Sequence, residues 1–253
     1  MEDVDNDGDL DLMICAWGAH DPLRYFMNLG DGTFVERTRE AGLIGETGGL
    51  NLVQADYNND GWLDFYVGTG DPELATLVPN RMFRNDGAGH FQDVTTAGGF
   101  GHLQKGHGIA FGDLRGNGFQ DVYASLGGAY EGDYYRNALF SNPGNTNDWI
   151  KLKPVGTRSN RASIGARITV HLHNASGTRT IRKDVNSGST FGGNSLRQEI
   201  GLGPAAVVSD VEVYWPTSGL RQVWKRLEPR HSYVLTEGEA EARLQTQSPS
   251  VAR

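Results

Sequence analysis

Short segments rich in branched and aromatic residues recur along the chain, and each is preceded by a cluster of Asp, Asn and Gly. In the first half these segments are DLMICAW, DFYVGTG and DVYASLG, which start at Asp11, Asp64 and Asp121. Such a composition is typical of β-strands bounded by polar turns. In the second half, hydrophobic and polar residues alternate in ARITVHLHN, TRTIRKDVN, SDVEVYWP and HSYVLTE. The pattern therefore predicts an all-β protein.

An acidic loop of nine residues is written three times, immediately before the strands of the first half. The copies are DVDNDGDLD at 3–11, DYNNDGWLD at 56–64 and DLRGNGFQD at 113–121. A second motif, an Asn-anchored turn, recurs around Asn28, Asn85 and Asn142 at a constant interval of 57 residues. A repeat of this length is typical of arrays, and four short strands per unit is the anatomy of a propeller blade.

The residues of these loops have the pattern of a cation site. Oxygen-bearing side chains at loop positions one, three, five and nine, with glycine at six, are what calcium requires from a tight turn. The first loop offers the side chains of Asp3, Asp5, Asp7 and Asp11 and the main-chain carbonyl of Asp9. The second offers Asp56, Asn58, Asp60 and Asp64 and the main-chain carbonyl of Trp62. The third retains Asp113, Asn117 and Asp121 but has Arg115 at position three.

Charge repulsion ranks the three loops. Two carboxylates about 5 Å apart repel by roughly 3 kcal/mol at an effective dielectric of about 20, so four carboxylates in the first loop demand a cation more than three in the second. The third has two carboxylates and an arginine. We therefore predict two calcium sites and one loop that Arg115 neutralises. One alternative is a solvated acidic turn. Another is an EF-hand, but its twelfth position should be glutamate, and here it is Ile14 or Val67.

These loops resemble the FG-GAP or VCBS repeats of integrin-like β-propellers, which share the DxDxDGxxD pattern. The resemblance covers residues 3–148 and implies blades with calcium loops on one face of a disc. Because propellers have about four to eight blades, we expect residues 1–147 to form about three blades of a longer ring. No strand precedes Asp3, so an N-terminally truncated propeller is expected.

The second half differs in charge and in family resemblance. Residues 1–149 contain 8 Lys and Arg against 23 Asp and Glu, whereas residues 150–253 contain 15 against 8. NRASIGARITVHL, the GLG turn and VEVYWP are similar to the ASPIC/UnbV domain that follows such propellers in the cartilage acidic protein family. The middle segment departs from that pattern around Ser189 to Gly193. We expect this domain at 148–238 and a disordered polar tail at 239–253.

The basic residues of the second half admit two interpretations. Either they form a surface for acidic polysaccharide or nucleic acid, or they dock onto the acidic loops. The residues are Arg158, Arg161, Arg167, Arg179, Arg182 and Lys183. The chain has no recognised nucleic-acid motif, so no nucleic-acid partner is expected.

Motifs of catalysis are missing from the sequence. It contains neither GxSxG nor HExxH, and its single cysteine, Cys15, lies in an apolar strand. His171 and His173 alternate along one strand and would need a third ligand to hold a metal. No apolar run approaches the roughly 20 residues of a membrane helix.

Together these features favour a calcium-binding protein outside the cell or at its surface, which presents loops to a protein or carbohydrate and is not an enzyme. The alternative is an accessory or catalytic subunit in natural-product biosynthesis or polysaccharide processing.

Overall fold

A computed structural model describes residues 1–16, 18, 22–45, 48–70, 78–128, 131–175, 177–186, 188 and 195–245. The regular elements in these ranges are strands, which form five sheets. The predicted all-β class is confirmed. Within the same ranges there is no helix of the length and hydrophobicity needed to cross a bilayer.

The first three sheets come from the three repeat units, and in each the strands follow chain order. The first sheet contains β1 (Leu12–Ile14), β2 (Arg24–Asn28) and β3 (Phe34–Glu36). The second contains β4 (Gly49–Ala55), β5 (Asp64–Thr69), β6 (Arg81–Asn85) and β7 (Phe91–Asp93). The third contains β8 (Gly106–Gly112), β9 (Asp121–Leu126) and β10 (Ala138–Phe140). All neighbours are antiparallel, and the acidic loops lead into β1, β5 and β9.

The third unit departs from the four-strand prediction. Its turn around Asn142 leads to no fourth strand of the third sheet, because the chain continues into β11 (Asp148–Val155). In the first two units the turn is followed by the aromatic strand residues Phe34 and Phe91, whereas the equivalent position here is Asp148. Phe91 is 5% exposed and packs in the core, whereas Phe34 is 42% exposed, so the aromatic at this position is buried only in the second unit.

Hydrophobic cores lie between consecutive repeat sheets. Tyr25 of the first sheet packs with Phe65 and Phe91 of the second. Side chains on alternate positions of β5 point to the other face, where Tyr66 packs against Val122 of the third sheet. The period of two along a strand thus lets the second sheet fill the core on both sides.

The second half contains eight further strands. They are β11, β12 (Arg167–Asn174), β13 (Gly177–Asp184), β14 (Gln198–Gly203), β15 (Val207–Trp215), β16 (Leu220–Lys225), β17 (Ser232–Thr236) and β18 (Arg243–Leu244). Two four-stranded sheets result, in the orders β14-β11-β17-β18 and β13-β12-β15-β16. Both contribute to one core that includes Ile150, Ile168 and Trp215. About three blades were expected from the repeats. The described residues form five sheets, because the second half adds two sheets to the three of the repeat units.

The tail at 239–253 was expected to be disordered, but the structure shows an ordered strand within its first residues. Arg243 and Leu244 form β18, which pairs with Val234 and Tyr233 of β17. Backbone pairing with β17 orders this polar segment, and Ala242 packs against the core of the second half. Residues 246–253, and the segment Ser189 to Gly193 in which the sequence departs from the ASPIC/UnbV pattern, lie outside the described residues.

Candidate metal centres

The three acidic loops share one backbone conformation. Position four has positive φ in every copy, with values of 60° at Asn6, 56° at Asn59 and 70° at Gly116. Position six is always glycine with positive φ, at Gly8, Gly61 and Gly118. Few residue types adopt such angles cheaply. At Gly61 space is a second reason, since a Cβ there would lie 2.8 Å from Ile181 Cδ1 of the second half.

Hydrogen bonds from the loop backbone fold the side chains of positions one, three and five inward. In the second loop, Asp56 accepts bonds from the N–H groups of Asp60 (3.1 Å) and Gly61 (2.8 Å). Asn58 and Asp60 each accept one from the N–H two residues later, at 3.1 and 2.9 Å. These are Asx turns, which the sequence pattern makes locally.

The first loop gathers three carboxylates. Oxygens of Asp3, Asp5 and Asp7 all lie within 4.8 Å of one another, and this is the only such group of His, Cys, Asp or Glu in the described ranges. Asp3 is 4% exposed, and its Oδ1 is buried without a hydrogen-bond partner. A buried, unpaired carboxylate oxygen is costly, and a hard cation such as calcium would satisfy it. The first loop therefore fits the predicted ion.

Two carboxyl groups of the first loop have raised pKa values, which have the same physical cause. Burial, with repulsion from Asp5 and Asp7, raises the pKa of Asp3 to about 7. Burial also raises the pKa of Asp11 to about 6, with a contribution from Asp5. Without a cation, these groups hold protons at pH values where an ordinary aspartate is ionised.

The second loop is more enclosed. Burial, with repulsion from Asp60, raises the pKa of Asp56 to about 7, and burial raises those of Asp60 and Asp64 as well. Asn58 Nδ2 donates to Asp60 Oδ2 at 2.8 Å. Asp56, Asn58 and Asp60 therefore lie close together. Because they are buried, water compensates the negative charge of the two aspartates less than it would in an exposed turn.

Two basic side chains neutralise the third loop. Arg115 Nη2 donates to Asp121 Oδ1 at 3.0 Å, so the predicted neutralisation by Arg115 is confirmed. Lys151 Nζ of β11 also donates to Asp113 Oδ2, and both of these side chains are buried. Sequence reasoning missed Lys151, because it lies in the apolar segment WIKLKPV and its partner Asp113 is 38 residues away in sequence. The strand period gave no signal for burial, because it places Lys151 on the same face as the exposed Lys153, opposite Ile150 and Leu152.

The aspartate at position nine has a structural role in all three units. Its Oδ1 accepts a bond from the N–H of the turn asparagine, from Asn28 to Asp11 (2.8 Å), from Asn85 to Asp64 (2.9 Å) and from Asn142 to Asp121 (2.7 Å). Oδ2 of Asp11 and Asp64 accepts the N–H of position two, both at 3.2 Å. These carboxylates fasten the loop to the turn. Their role as calcium ligands stays a prediction.

Comparison with protein families follows the same division of the chain. Residues 3–67 and 68–124 match the FG-GAP-like repeat, and residues 156–242 match the family described as ASPIC and UnbV. The chain contains two FG-GAP-like repeats followed by an ASPIC and UnbV domain. The resemblance inferred from the loop and strand motifs is confirmed. No curated protein matches the chain.

The turn asparagines also join consecutive FG-GAP-like repeats. Asn85 Nδ2 donates to Leu63 O (3.2 Å) within its own unit and to Val4 O (3.1 Å) of the preceding loop. Asn142 Nδ2 makes the same two contacts, to Gln120 O and Tyr57 O. The sequence identified these residues as turn anchors, but the second contact depends on how neighbouring sheets pack and has no local signal.

The ASPIC and UnbV domain lies against the acidic loops. Arg182 N–H donates to Asn6 Oδ1 at 3.1 Å, and its guanidinium donates to Asn6 O. Arg179 Nη1 donates to Asp60 O at 2.6 Å, and its guanidinium lies 4.6 Å from the centre of the Trp62 ring. Two of the six basic residues singled out in the sequence thus dock onto the loops. Another, Arg167, pairs with Asp184 of its own domain at 3.3 Å.

In the part of the chain that is described, the histidine pair lacks a set of three potential metal ligands, although His171 Nε2 lies 3.9 Å from Asp210 Oδ1. His171 Nδ1 lies 3.2 Å from Thr180 Oγ1, and neither His171 nor His173 belongs to a group of three potential ligands. The acidic loops are therefore the candidate metal centres.

The double contact of Asn85 predicts a difference between equivalent residues. Asn85→Ala leaves Val4 O and Leu63 O without a donor, so we expect a loss of about 2–3 kcal/mol in the free energy of unfolding. Asn28→Ala is the matched control. Asn28 Nδ2 bonds only to Leu10 O at 3.1 Å, so its loss should be about 1 kcal/mol. Urea denaturation measures both, and equal losses would contradict the inter-repeat contact.

The raised pKa values predict how stability depends on pH without calcium. Asp3 and Asp56 have a pKa of about 7 in the folded chain, against 3.8 for an unperturbed aspartate. The folded state therefore binds more protons than the unfolded state between about pH 4 and pH 7, and stability falls as pH rises through that window. In chelator, we expect a lower Tm at pH 7.5 than at pH 5.5. Asp3→Asn should reduce the difference. A Tm that rises over this interval would refute the pKa assignment.

Proposed function

We propose that the chain is a calcium-stabilised recognition module that works outside the cell or at its surface. The observation that carries the proposal is the buried, unpartnered Oδ1 of Asp3 beside the oxygens of Asp5 and Asp7. Calcium has a structural role here. It compensates carboxylates that the fold brings together and so fixes the loops that connect the strands.

Two loops hold an ion in this proposal. In the first, the ligands are Asp3, Asp5, Asp7, Asp11 and the main-chain carbonyl of Asp9. In the second, they are Asp56, Asn58, Asp60, Asp64 and the main-chain carbonyl of Trp62. The third loop, with Asp113, Asn117 and Asp121, holds none, because Lys151 and Arg115 already pair with Oδ2 of Asp113 and Oδ1 of Asp121. Oδ2 of Asp121 is buried without a hydrogen-bond partner, but the charge of its carboxylate is compensated by Arg115.

The proposed extracellular location follows from the concentration of calcium that such sites require. Sites built in tight exposed loops have modest affinity, and extracellular modules bind calcium with dissociation constants of about 0.1–1 mM. The first loop is partly open, since Asp7 and Gly8 are exposed. Such a site is filled where calcium is millimolar, which supports placement outside the cell.

A small cavity between the two halves bears on the enzymatic alternative. Titratable residues gather around it, namely Glu2, Asp56, Lys183, Arg197 and Glu199. Its volume is about 50 Å³, whereas small-molecule sites occupy about 300–1,000 Å³. There is room for a few water molecules but not for a substrate. Burial also raises the pKa of the Cys15 thiol, which makes it a poor nucleophile. Both observations support binding over catalysis at these places.

Larger clefts of about 530, 650 and 480 Å³ lie elsewhere on the described surface, and the turns at the ends of the repeat hairpins are also open to a ligand. The ASPIC and UnbV domain covers part of the loop face through Arg179 and Arg182. Residues 29–33 and 88–90 are exposed and tip the hairpins β2–β3 and β6–β7. We propose that a protein or carbohydrate ligand binds such turns.

The repeat sheets are proposed to be blades of a larger ring. Tyr66 is fully buried between the second and third sheets. Its equivalent one repeat later is Tyr123, which is 42% exposed and lies opposite Leu139, itself 52% exposed. A face that is buried in one unit and bare in the next is suited to another sheet of the same kind. About three blades of a propeller would then come from this chain.

Position five provides a matched test of calcium binding. Asp60 and Asn117 make the same Asx turn, accepting the N–H of position seven at 2.9 and 3.1 Å. Replacing either by Ala removes that turn, but only Asp60→Ala should remove a calcium ligand. Calcium at 100 times its dissociation constant adds about 2.7 kcal/mol per site. We expect Asp60→Ala to halve the calcium-dependent rise in stability and Asn117→Ala to leave it intact.

Thermal unfolding in millimolar calcium and in chelator measures this rise, and titration calorimetry should give two ions per chain. A wild-type chain whose Tm is the same in both conditions would refute the proposed function.

A further inference from the structure

The third loop and the second half share a buried ion pair. Lys151 is 1% exposed, and its Nζ donates to Oδ2 of Asp113, whose side chain is completely buried. The same Nζ lies 3.7 Å from Glu199 Oε1 and 5.1 Å from the centre of the Trp149 ring. A buried charge is stable only when it is paired. Here the lysine and the loop carboxylate provide each other's partner.

The lysine takes the carboxylate that a calcium ion would use. Asp113 holds position one, the same position as Asp3 and Asp56 in the other loops. Its oxygens also accept the N–H groups of Asn117 and Gly118, so the loop backbone is folded as in the second loop. Arg115 pairs with the other carboxylate, Asp121. The loop thus keeps the conformation of a cation site and has its positive charges supplied by side chains.

The other two loops are contacted differently. Arg182 and Arg179 bond to the main-chain carbonyls of Asn6 and Asp60. Neither guanidinium makes a hydrogen bond to a loop carboxylate in the contacts described. The second half therefore docks on these two loops without taking the oxygens that an ion needs, whereas Lys151 on the third loop takes one.

We propose that Lys151 is the resident cation of the third loop. Its ammonium does there what calcium does in the first two loops, so this loop joins the two halves without a metal ion. The comparison with calcium rests on the proposed function, but the lysine pair is independent of it. Loss of calcium would then loosen the contacts at the first two loops and leave the third contact in place.

Hydrogen exchange of the unmodified chain tests the proposal with an internal control. The N–H groups of Asp60 and Gly61 bond to Asp56, and those of Asn117 and Gly118 bond to Asp113. On moving from calcium to chelator, we expect protection to fall about tenfold or more in the second loop and to stay unchanged in the third. An equal fall in both loops would overturn the proposal.

A paired substitution tests whether the side chains exclude the ion. Arg115→Asn restores an oxygen ligand at position three, as Asn58 provides in the second loop, and Lys151→Gln removes the ammonium. We expect the double variant to bind one calcium ion more than the wild type by titration calorimetry. It should also have a lower Tm in chelator, which calcium restores. Lys153→Gln is the control, because Lys153 is exposed two residues along the same strand.

The outcomes separate this inference from the proposed function. A double variant that binds no further ion, with a Tm in chelator equal to that of the control, overturns the role of Lys151. A double variant that folds only with calcium supports it. If it folds in neither condition, the exchange experiment on the wild type decides. If the wild type binds no calcium, the proposed function fails. The Lys151 pair is then judged by whether Lys151→Gln alone removes the protection of Asn117 and Gly118.

Discussion

The hydrogen bond between the position-nine aspartate and the turn asparagine is the contact on which each repeat unit depends. Asp64 receives the N–H of Asn85, and the same bond forms in the other two units. It joins the end of the acidic loop to the start of the next turn, 21 residues later in the second and third units. This closure fixes the acidic loop relative to the turn, while the Asx bonds within the loop position the remaining carboxylates. A propeller-like unit is thereby built on a side chain that sequence patterns assign to metal binding.

Electrostatic balance explains why the chain has two halves of opposite charge. The repeats collect buried carboxylates on one face, and burial raises their pKa values. Positive charge must come from an ion, from protons or from the protein itself. The second half supplies Arg179, Arg182 and Lys151 at three successive loops. Only the lysine bonds to a carboxylate, so the degree of internal compensation differs from loop to loop.

Local patterns were sufficient to predict the strands, the loops and the repeat, because Asx turns and glycine angles depend on residues a few positions apart. The neutralising Arg115 was predictable for the same reason. Lys151 was not, since its place is set by packing between halves that are separate in sequence. The third unit's missing outer strand had a signal that was overlooked, namely Asp148 at the position of Phe34 and Phe91. The hydrogen bond that Asp64 accepts from the N–H of Asn85 had none.

The asparagines at position four connect the loops in series. Asn6 Nδ2 donates to Gly61 O, and Asn59 Nδ2 donates to Gly118 O. The asparagine at position four of the first and second loops therefore donates to the carbonyl of the glycine at position six of the next loop. The two positions are always two residues apart within a loop. One inserted residue in the second loop would misalign its bonds to both neighbours at once. We expect insertions and deletions in the connections outside the loops instead, because changes of length there leave the hydrogen bonds between the loops unaltered.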